Sequence, residues 1–158
     1  MKSDQQPSEE QILQKIYHYC AYQERSHRQV KQKLFDLGLY GEQVDQILAR
    51  LITEGFINEE RFAKSYAGGK FRMKKWGRLK IVQELEQQAI SGRNIQTALK
   101  EIDAADYEQT LRTLLLRKMK LVDSTNVYQW RDKLARYATG KGYEPELVWQ
   151  LLRELAPE

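Results

Sequence analysis

Six cations crowd eleven consecutive positions, KFRMKKWGRLK, where Lys70, Arg72, Lys74, Lys75, Arg78 and Lys80 are interleaved with Phe71 and Trp76. Ammonium and guanidinium groups at that density can neutralise several phosphates along a nucleic-acid backbone, and an indole among them can stack on a base. They can equally meet an acidic protein groove, since charge alone serves either partner. Cations near the end of a helix also offset its dipole. That accounts for two or three of these charges and leaves the others. A second group, Arg117, Lys118 and Lys120, closes the helix expected at 106–121. A third, Arg131, Lys133 and Arg136, lies on or near one later helix. Arg25 joins the candidates, although its neighbour Ser26 reads as a helix cap.

Other chemistry is thin. His18 and His27 stand nine apart without Cys or carboxylate ligands at metal spacing. His27 follows a helix cap and reads as a solvated first-turn residue. The string AGGK at 67–70 lacks the spacing of a phosphate-binding loop and falls inside a helical pattern. Gly68 and Gly69 cost helix stability there and mark close packing, a bend or a hinge. The carboxylate pairs Glu59/Glu60 and Asp103/Asp106 sit at helix starts, where capping and the dipole explain them. Cys20, the single cysteine, has Ile16 and Ile12 at i−4 and i−8 and reads as core; it allows no internal disulfide and suits a reducing cytoplasm. No cofactor or metal is implied and no enzyme class is supported. The chain carries neither a basic-then-apolar signal region nor a window of eighteen apolar residues, so no export signal and no membrane association is expected.

The cations must be positioned by helices. Ser8 with Gln11, and Ser26 with Gln29, have capping-box spacing. Ile12, Ile16 and Cys20, then Val30, Leu34 and Leu37, then Val44, Ile47, Leu48 and Leu51 recur at helical intervals. Gly38 stands where a left-handed residue ends a helix, Gly55 can end the third helix, and Asn58 caps the next one with Glu59 and Glu60 at its positive end. No stretch alternates as a half-buried strand does. Charge is uneven along this series. Residues 1–60 carry 7 basic and 10 acidic side chains (net −3), residues 61–120 carry 14 and 6 (net +8), and 121–158 carry 5 and 6 (net −1). With 30% charged residues, 41% hydrophobic residues and a mean hydropathy of −0.72, the 158-residue chain suits an extended array with thin cores better than a compact globule.

The apolar pattern repeats. Shifting Val30, Leu34, Val44, Ile47, Leu48 and Leu51 by 51 positions gives Ile81, Leu85, Ile95, Ala98, Leu99 and Ile102. A further shift of 49 gives Trp130, Leu134, Glu144, Leu147, Val148 and Leu151, where only Glu144, beside Pro145, breaks the pattern. Each copy begins with an extra helix, at about 9–23, 58–74 and 106–121. The expected fold is therefore all-α, an elongated array of three tandem three-helix units, about nine helices. The units run over 8–55, 56–104 (the basic one) and 105–158 after a flexible tail at 1–7.

Three strings also resemble a known family: ERSHRQVKQKL (24–34), LITEGFINEERFAKSYAGGKFRMKKWGRLKIVQEL (51–85) and LARYATGKGYEPELVWQLL (134–152). Their order, above all EGFINEERFAKSY followed by Gly77, Ile81 and Leu85, is similar to that of the bacterial RecX regulatory proteins across roughly residues 12–152. Glu59 stands where an Asp is usual, Ala89 replaces a common Gly before Ile90, and Trp76 takes a place often basic. The resemblance implies a protein that lies in the groove or at the end of the RecA recombinase filament and on the DNA within it; a cytoplasmic monomer is expected. It implies restraint of that recombinase's ATP hydrolysis, strand exchange and coprotease activity, and so modulation of DNA repair, recombination and the SOS response. Lys70, Arg72, Lys74, Lys75, Trp76, Arg78 and Lys80 are then the expected contacts, with Arg25, Arg131, Lys133 and Arg136 beside them. A helical-repeat protein that binds nucleic acid without the recombinase is the alternative.

Overall fold

The computed structural model describes residues 7–123 and 125–156; all of the expected tail but Pro7 lies outside them. Among the described residues there are nine helices and no strands: α1 Glu9–Tyr22, α2 His27–Asp36, α3 Glu42–Thr53, α4 Glu59–Lys74, α5 Arg78–Gln87, α6 Gly92–Leu99, α7 Ala104–Met119, α8 Val127–Gly140 and α9 Pro145–Leu155. The starts are set locally. Ser8 and Ser26 form complete capping boxes with Gln11 and Gln29. Asn58, Ser91, Asp103 and Asn126 each accept a first-turn N–H through the side chain.

Every helix pair in substantial contact lies within one of three triplets, α1–α3, α4–α6 and α7–α9, with α4 and α6 packed against each other most extensively. The apolar faces fill two separate cores. Ile12, Ile16, Cys20, Val30, Leu34, Val44, Ile47 and Leu51 build the core of the first triplet. The second and third triplets share one core that runs from Phe62 and Phe71 through Ile81, Leu85 and Ile95 to Tyr107, Leu111, Tyr143 and Leu151.

The turn after the middle helix of each triplet shows the repeat most clearly. Gly38 (φ 102°), Ala89 (φ 60°) and Gly142 (φ 101°) are left-handed, and each precedes a buried residue, Leu39, Ile90 or Tyr143. The first shift is thus 51, as the sequence suggests, but the second is 53, not 49. At 53, Val30, Leu34, Val44 and Ile47 correspond to Leu134, Ala138, Val148 and Leu151, all fully buried. The third copy differs in spacing because α8 has one extra turn at its start, 14 residues where α2 and α5 have 10, and because the helix starts and connections around α7 are spaced differently from those around α4. Glu144 is therefore not a core position gone polar but the residue that precedes Pro145 and starts α9.

The junctions between triplets repeat too. In each, the start of one triplet's middle helix meets the left-handed turn of the next triplet. At the first junction the contact runs through side chains: Ser26 Oγ donates to Gln88 Oε1 (2.6 Å), and Arg28 donates to the Gln87 carbonyl. Arg61 adds an ion pair to Glu24 at 2.6 Å. At the second junction the backbones meet directly, with Gly77 N–H on the Lys141 carbonyl (2.7 Å) and Leu79 N–H on the Gly142 carbonyl (2.9 Å). Two glycines permit this approach, since a Cβ on Gly77 would lie 2.2 Å from the Gly142 carbonyl carbon and one on Gly142 would lie 2.4 Å from Lys80 Cβ. His27, at the first junction, is half-buried rather than solvated, and its Nε2 is buried without a partner.

Candidate partner-binding surface

The end of α4 carries the densest charge. Its inner face, Phe62, Ala63, Ala67, Gly68 and Phe71, is buried, which leaves Arg72, Met73 and Lys74 outward. Lys75 ends the helix in the left-handed conformation (φ 59°, ψ 34°), and its Nζ donates to the Arg72 carbonyl at 2.8 Å. The role of Gly68 becomes visible here: a Cβ on it would meet Arg72 Nη1 at 2.7 Å, so the Arg72 guanidinium folds back over the glycine. Gly69 has open space beside it, and α4 continues past both without a break.

Trp76 is half-buried and sits 6.4 Å from the Tyr66 ring. Lys70 Nζ stands 5.1 Å and Lys80 Nζ 4.6 Å from its ring centroid. The indole thus holds two of the candidate cations in place, a pairing worth about 0.5–1 kcal/mol each at exposed sites. Arg78 is also engaged within the molecule. Its guanidinium lies 3.8 Å from the Tyr107 ring centroid and its Nη1 is 2.9 Å from Glu144 Oε2. The Tyr107 hydroxyl accepts from Arg78 N–H (2.9 Å) and donates to Glu144. Burial and then the Glu144 carboxylate hold the Tyr107 phenol well above its ordinary range, so it stays a hydrogen-bond donor.

The remaining candidates divide in the same way. Arg25 stacks on Tyr19 at 3.8 Å from the ring centroid and donates from Nε to the Tyr19 carbonyl. Arg131 donates from Nη2 to the Ala156 carbonyl (2.8 Å), tying α8 to the end of α9. Lys133 and Arg136 are exposed, as are Arg117 and Lys120, while Lys118 Nζ stands 4.6 Å from the Tyr137 ring centroid. No carboxylate among the described residues pairs with Arg72, Lys74 or Lys75. Two apolar side chains accompany them at the surface, Met73 (82% exposed) and Leu79 (48%). Among the described residues no group of His, Cys, Asp and Glu could hold a metal ion, and no helix is long and apolar enough to cross a membrane.

Sequence reasoning did not single out Tyr107 and Tyr143, and it named Glu144 only as a break in the apolar pattern beside Pro145. The available signal was Glu144 itself, a carboxylate beside buried Tyr143 at the start of α9, which needs a partner wherever it is withdrawn from water.

Residues 58–99, which hold α4 to α6 and the whole cationic segment, match the family model for the second three-helix domain of RecX. The chain is similar to RecX regulatory proteins along most of its length. The regulatory protein RecX of Prosthecochloris aestuarii is 27% identical to this chain over 143 residues, covering 90% of it and 92% of the relative. The RecX of Clostridium tetani is 30% identical over 136 residues, 83% of this chain and 61% of the longer relative. A crystal structure of RecX from Lactobacillus salivarius superposes with a TM-score of 0.76 at 22% identity, covering 91% of this chain and 96% of that one. A second RecX crystal structure gives 0.78 at 21%, covering 96% and 82%. At those identities the two structures establish the shared all-helical fold. Glu59 accepts from Ser91 N–H (3.0 Å) and Asn94 Nδ2 (2.7 Å) and so joins α4 to α6.

Proposed function

We propose that this chain binds the filament of the RecA recombinase, in its groove or at its end, and restrains its ATPase, strand-exchange and coprotease activities. The observation that carries the reading is the set of exposed cations without carboxylate partners, Arg72, Lys74 and Lys75, within a domain that matches RecX. The family's relatives are named regulatory proteins, and the proposed action needs no catalytic group: a bound array blocks the path of DNA or the growing filament end. The chain acts as a cytoplasmic monomer and meets acidic protein groups and DNA phosphates along the filament. Lys70 and Lys80, held on Trp76, flank the free cations, and Met73 and Leu79 supply apolar contact between them. Lys133 and Arg136 extend the surface on the third triplet.

The test is the DNA-dependent ATPase rate of the cognate RecA on single-stranded DNA, with this protein added well below one per recombinase. A fall in rate is expected, and the triple variant Arg72→Glu, Lys74→Glu, Lys75→Glu should lose it. An unchanged rate with the wild-type chain overturns the reading. Salt dependence resolves the contacts: each cation that neutralises a phosphate contributes roughly one to the slope of log affinity against log salt, and its removal lowers the slope by that amount.

A further inference from the structure

We infer that the turn Lys141–Glu144 of the third triplet is a positioning element for the cationic segment of the second, with the Tyr143 hydroxyl as its principal hold on Lys75. The inference rests on the proposed binding role of that segment and adds to it the device that shapes the segment. Lys75 is one of two non-glycine residues among the described ones with positive φ, a conformation that L side chains adopt only under constraint. Local bonds close the helix there, Lys75 N–H to the Phe71 carbonyl (3.0 Å) and Trp76 N–H to the Lys70 carbonyl (3.4 Å), and a further hold comes from sixty-eight residues away: Tyr143, fully buried, donates its hydroxyl proton to the Lys75 carbonyl at 2.9 Å. Burial keeps that phenol protonated by pushing its pKa well above the ordinary range.

The following residues are held from the same turn. Gly77 N–H reaches the Lys141 carbonyl and Leu79 N–H the Gly142 carbonyl. Arg78 is held at its N–H by Tyr107 and at its guanidinium by Glu144. Every second residue from 75 to 79 is thus bonded through its main chain to the turn, and Arg78 between them is bonded to side chains of the third triplet. Arg72, Lys74 and Lys75 have no carboxylate partners, and Lys75 Nζ is tied to the Arg72 carbonyl (2.8 Å), so the course of the backbone at the end of α4 sets where this group of charges stands. A fixed backbone presents them already ordered, which removes part of the entropy cost of binding.

The corresponding first junction lacks this device. There Ser26 and Arg28 reach the next turn through side chains, and no tyrosine hydroxyl meets the main chain. The positioning is therefore a feature of the second junction, where the free cations are.

The test is Tyr143→Phe in the full-length chain. It keeps the ring in the core and removes one hydrogen bond. Affinity for a RecA filament on single-stranded DNA should fall about three- to tenfold, the weight of one such bond. Amide hydrogen exchange should quicken at residues 75–79 and stay unchanged in α1–α3 and at the centres of α7 and α9. Wild-type affinity together with unchanged exchange at 75–79 overturns the inference. So does a uniform rise in exchange throughout the second and third triplets, since that is the mark of a merely structural residue. The Arg72, Lys74, Lys75 charge-reversal variant separates the two ideas. If it binds normally, the site itself is misplaced; if it binds weakly while Tyr143→Phe binds normally, only the positioning role fails.

Discussion

At the scale of single residues, glycines with similar sequence surroundings do opposite things. Gly69 sits in the interior of α4, where an added Cβ would find nothing within 4 Å, whereas a Cβ on Gly77 would collide with the backbone of Gly142 at 2.2 Å. Gly69→Ala should therefore stabilise the protein by about 0.5–1 kcal/mol, the cost of glycine in a helix. Gly77→Ala should destabilise it by at least about 1–3 kcal/mol, as forced overpacking does. Urea unfolding midpoints of the two variants check both signs. Cys20 gives a second residue-level expectation. It is 7% exposed, and burial, opposed by Arg25, pushes its thiol from 9.0 up to about 11. A raised folded value means that the neutral thiol is favoured in the native state. Its contribution to stability is complete below about pH 9 and is lost as pH rises through about 11. Native protein at pH 8 should react with a thiol reagent far more slowly than protein unfolded in denaturant, and a rate equal to that of the unfolded chain would contradict the burial.

At the scale of elements, the left-handed turn after the middle helix is the recurring part, and one copy of it is imperfect. Gly38 and Gly142 occupy it in the first and third triplets, but Ala89 occupies it in the second with φ 60°. A left-handed L residue costs roughly 1–2 kcal/mol, and glycine returns part of that gain through the greater freedom of the unfolded chain. Ala89→Gly should accordingly stabilise the protein by somewhat under about 1 kcal/mol, visible as a rise in melting temperature. A fall would mean that the Ala89 methyl makes a contact worth more than the strain. The extra turn of α8 belongs at this scale as well. Trp130 donates from its indole N–H to the Val122 carbonyl (3.2 Å), fastening the longer α7–α8 connection that displaces the third copy from the simple period.

At the scale of the whole molecule, two cores divide the chain unequally. The first triplet encloses its own apolar residues, and its junction to the rest is made of polar side chains, Ser26 with Gln88, Arg28 with the Gln87 carbonyl and Arg61 with Glu24. A surface ion pair such as Arg61 with Glu24 contributes about 0–1 kcal/mol and each hydrogen bond about 0.5–1.5 kcal/mol, well below the burial of several core aliphatics at about 1.5–3 kcal/mol apiece. The second and third triplets share one core and a direct backbone junction. Native-state hydrogen exchange should therefore show α1–α3 opening as a separate unit at lower free energy, with α4–α9 exchanging together. One common opening energy for all nine helices would contradict the division. For function this makes α4–α9 the body that bears the cationic segment and the first triplet an appended arm.

The local features were legible in the sequence because they depend on neighbours three or four positions apart. The capping boxes at Ser8 and Ser26, the Asn58 cap, the apolar faces of α1 to α6, the buried Cys20 and the 51-residue shift all follow from helical periodicity and first-turn hydrogen bonding. The cationic segment was legible as a string for the same reason. What the tertiary structure alone decided is which of its charges are free. Arg78 is drawn inward by Tyr107 and Glu144, twenty-nine and sixty-six residues away, and Lys70 and Lys80 are gathered on Trp76. The 53-residue shift of the third triplet, the fusion of two cores and the close passage of Gly77 over Gly142 belong to that same class. Each depends on two distant segments arriving at one place, and no short-range pattern encodes where a folded chain brings its far parts together.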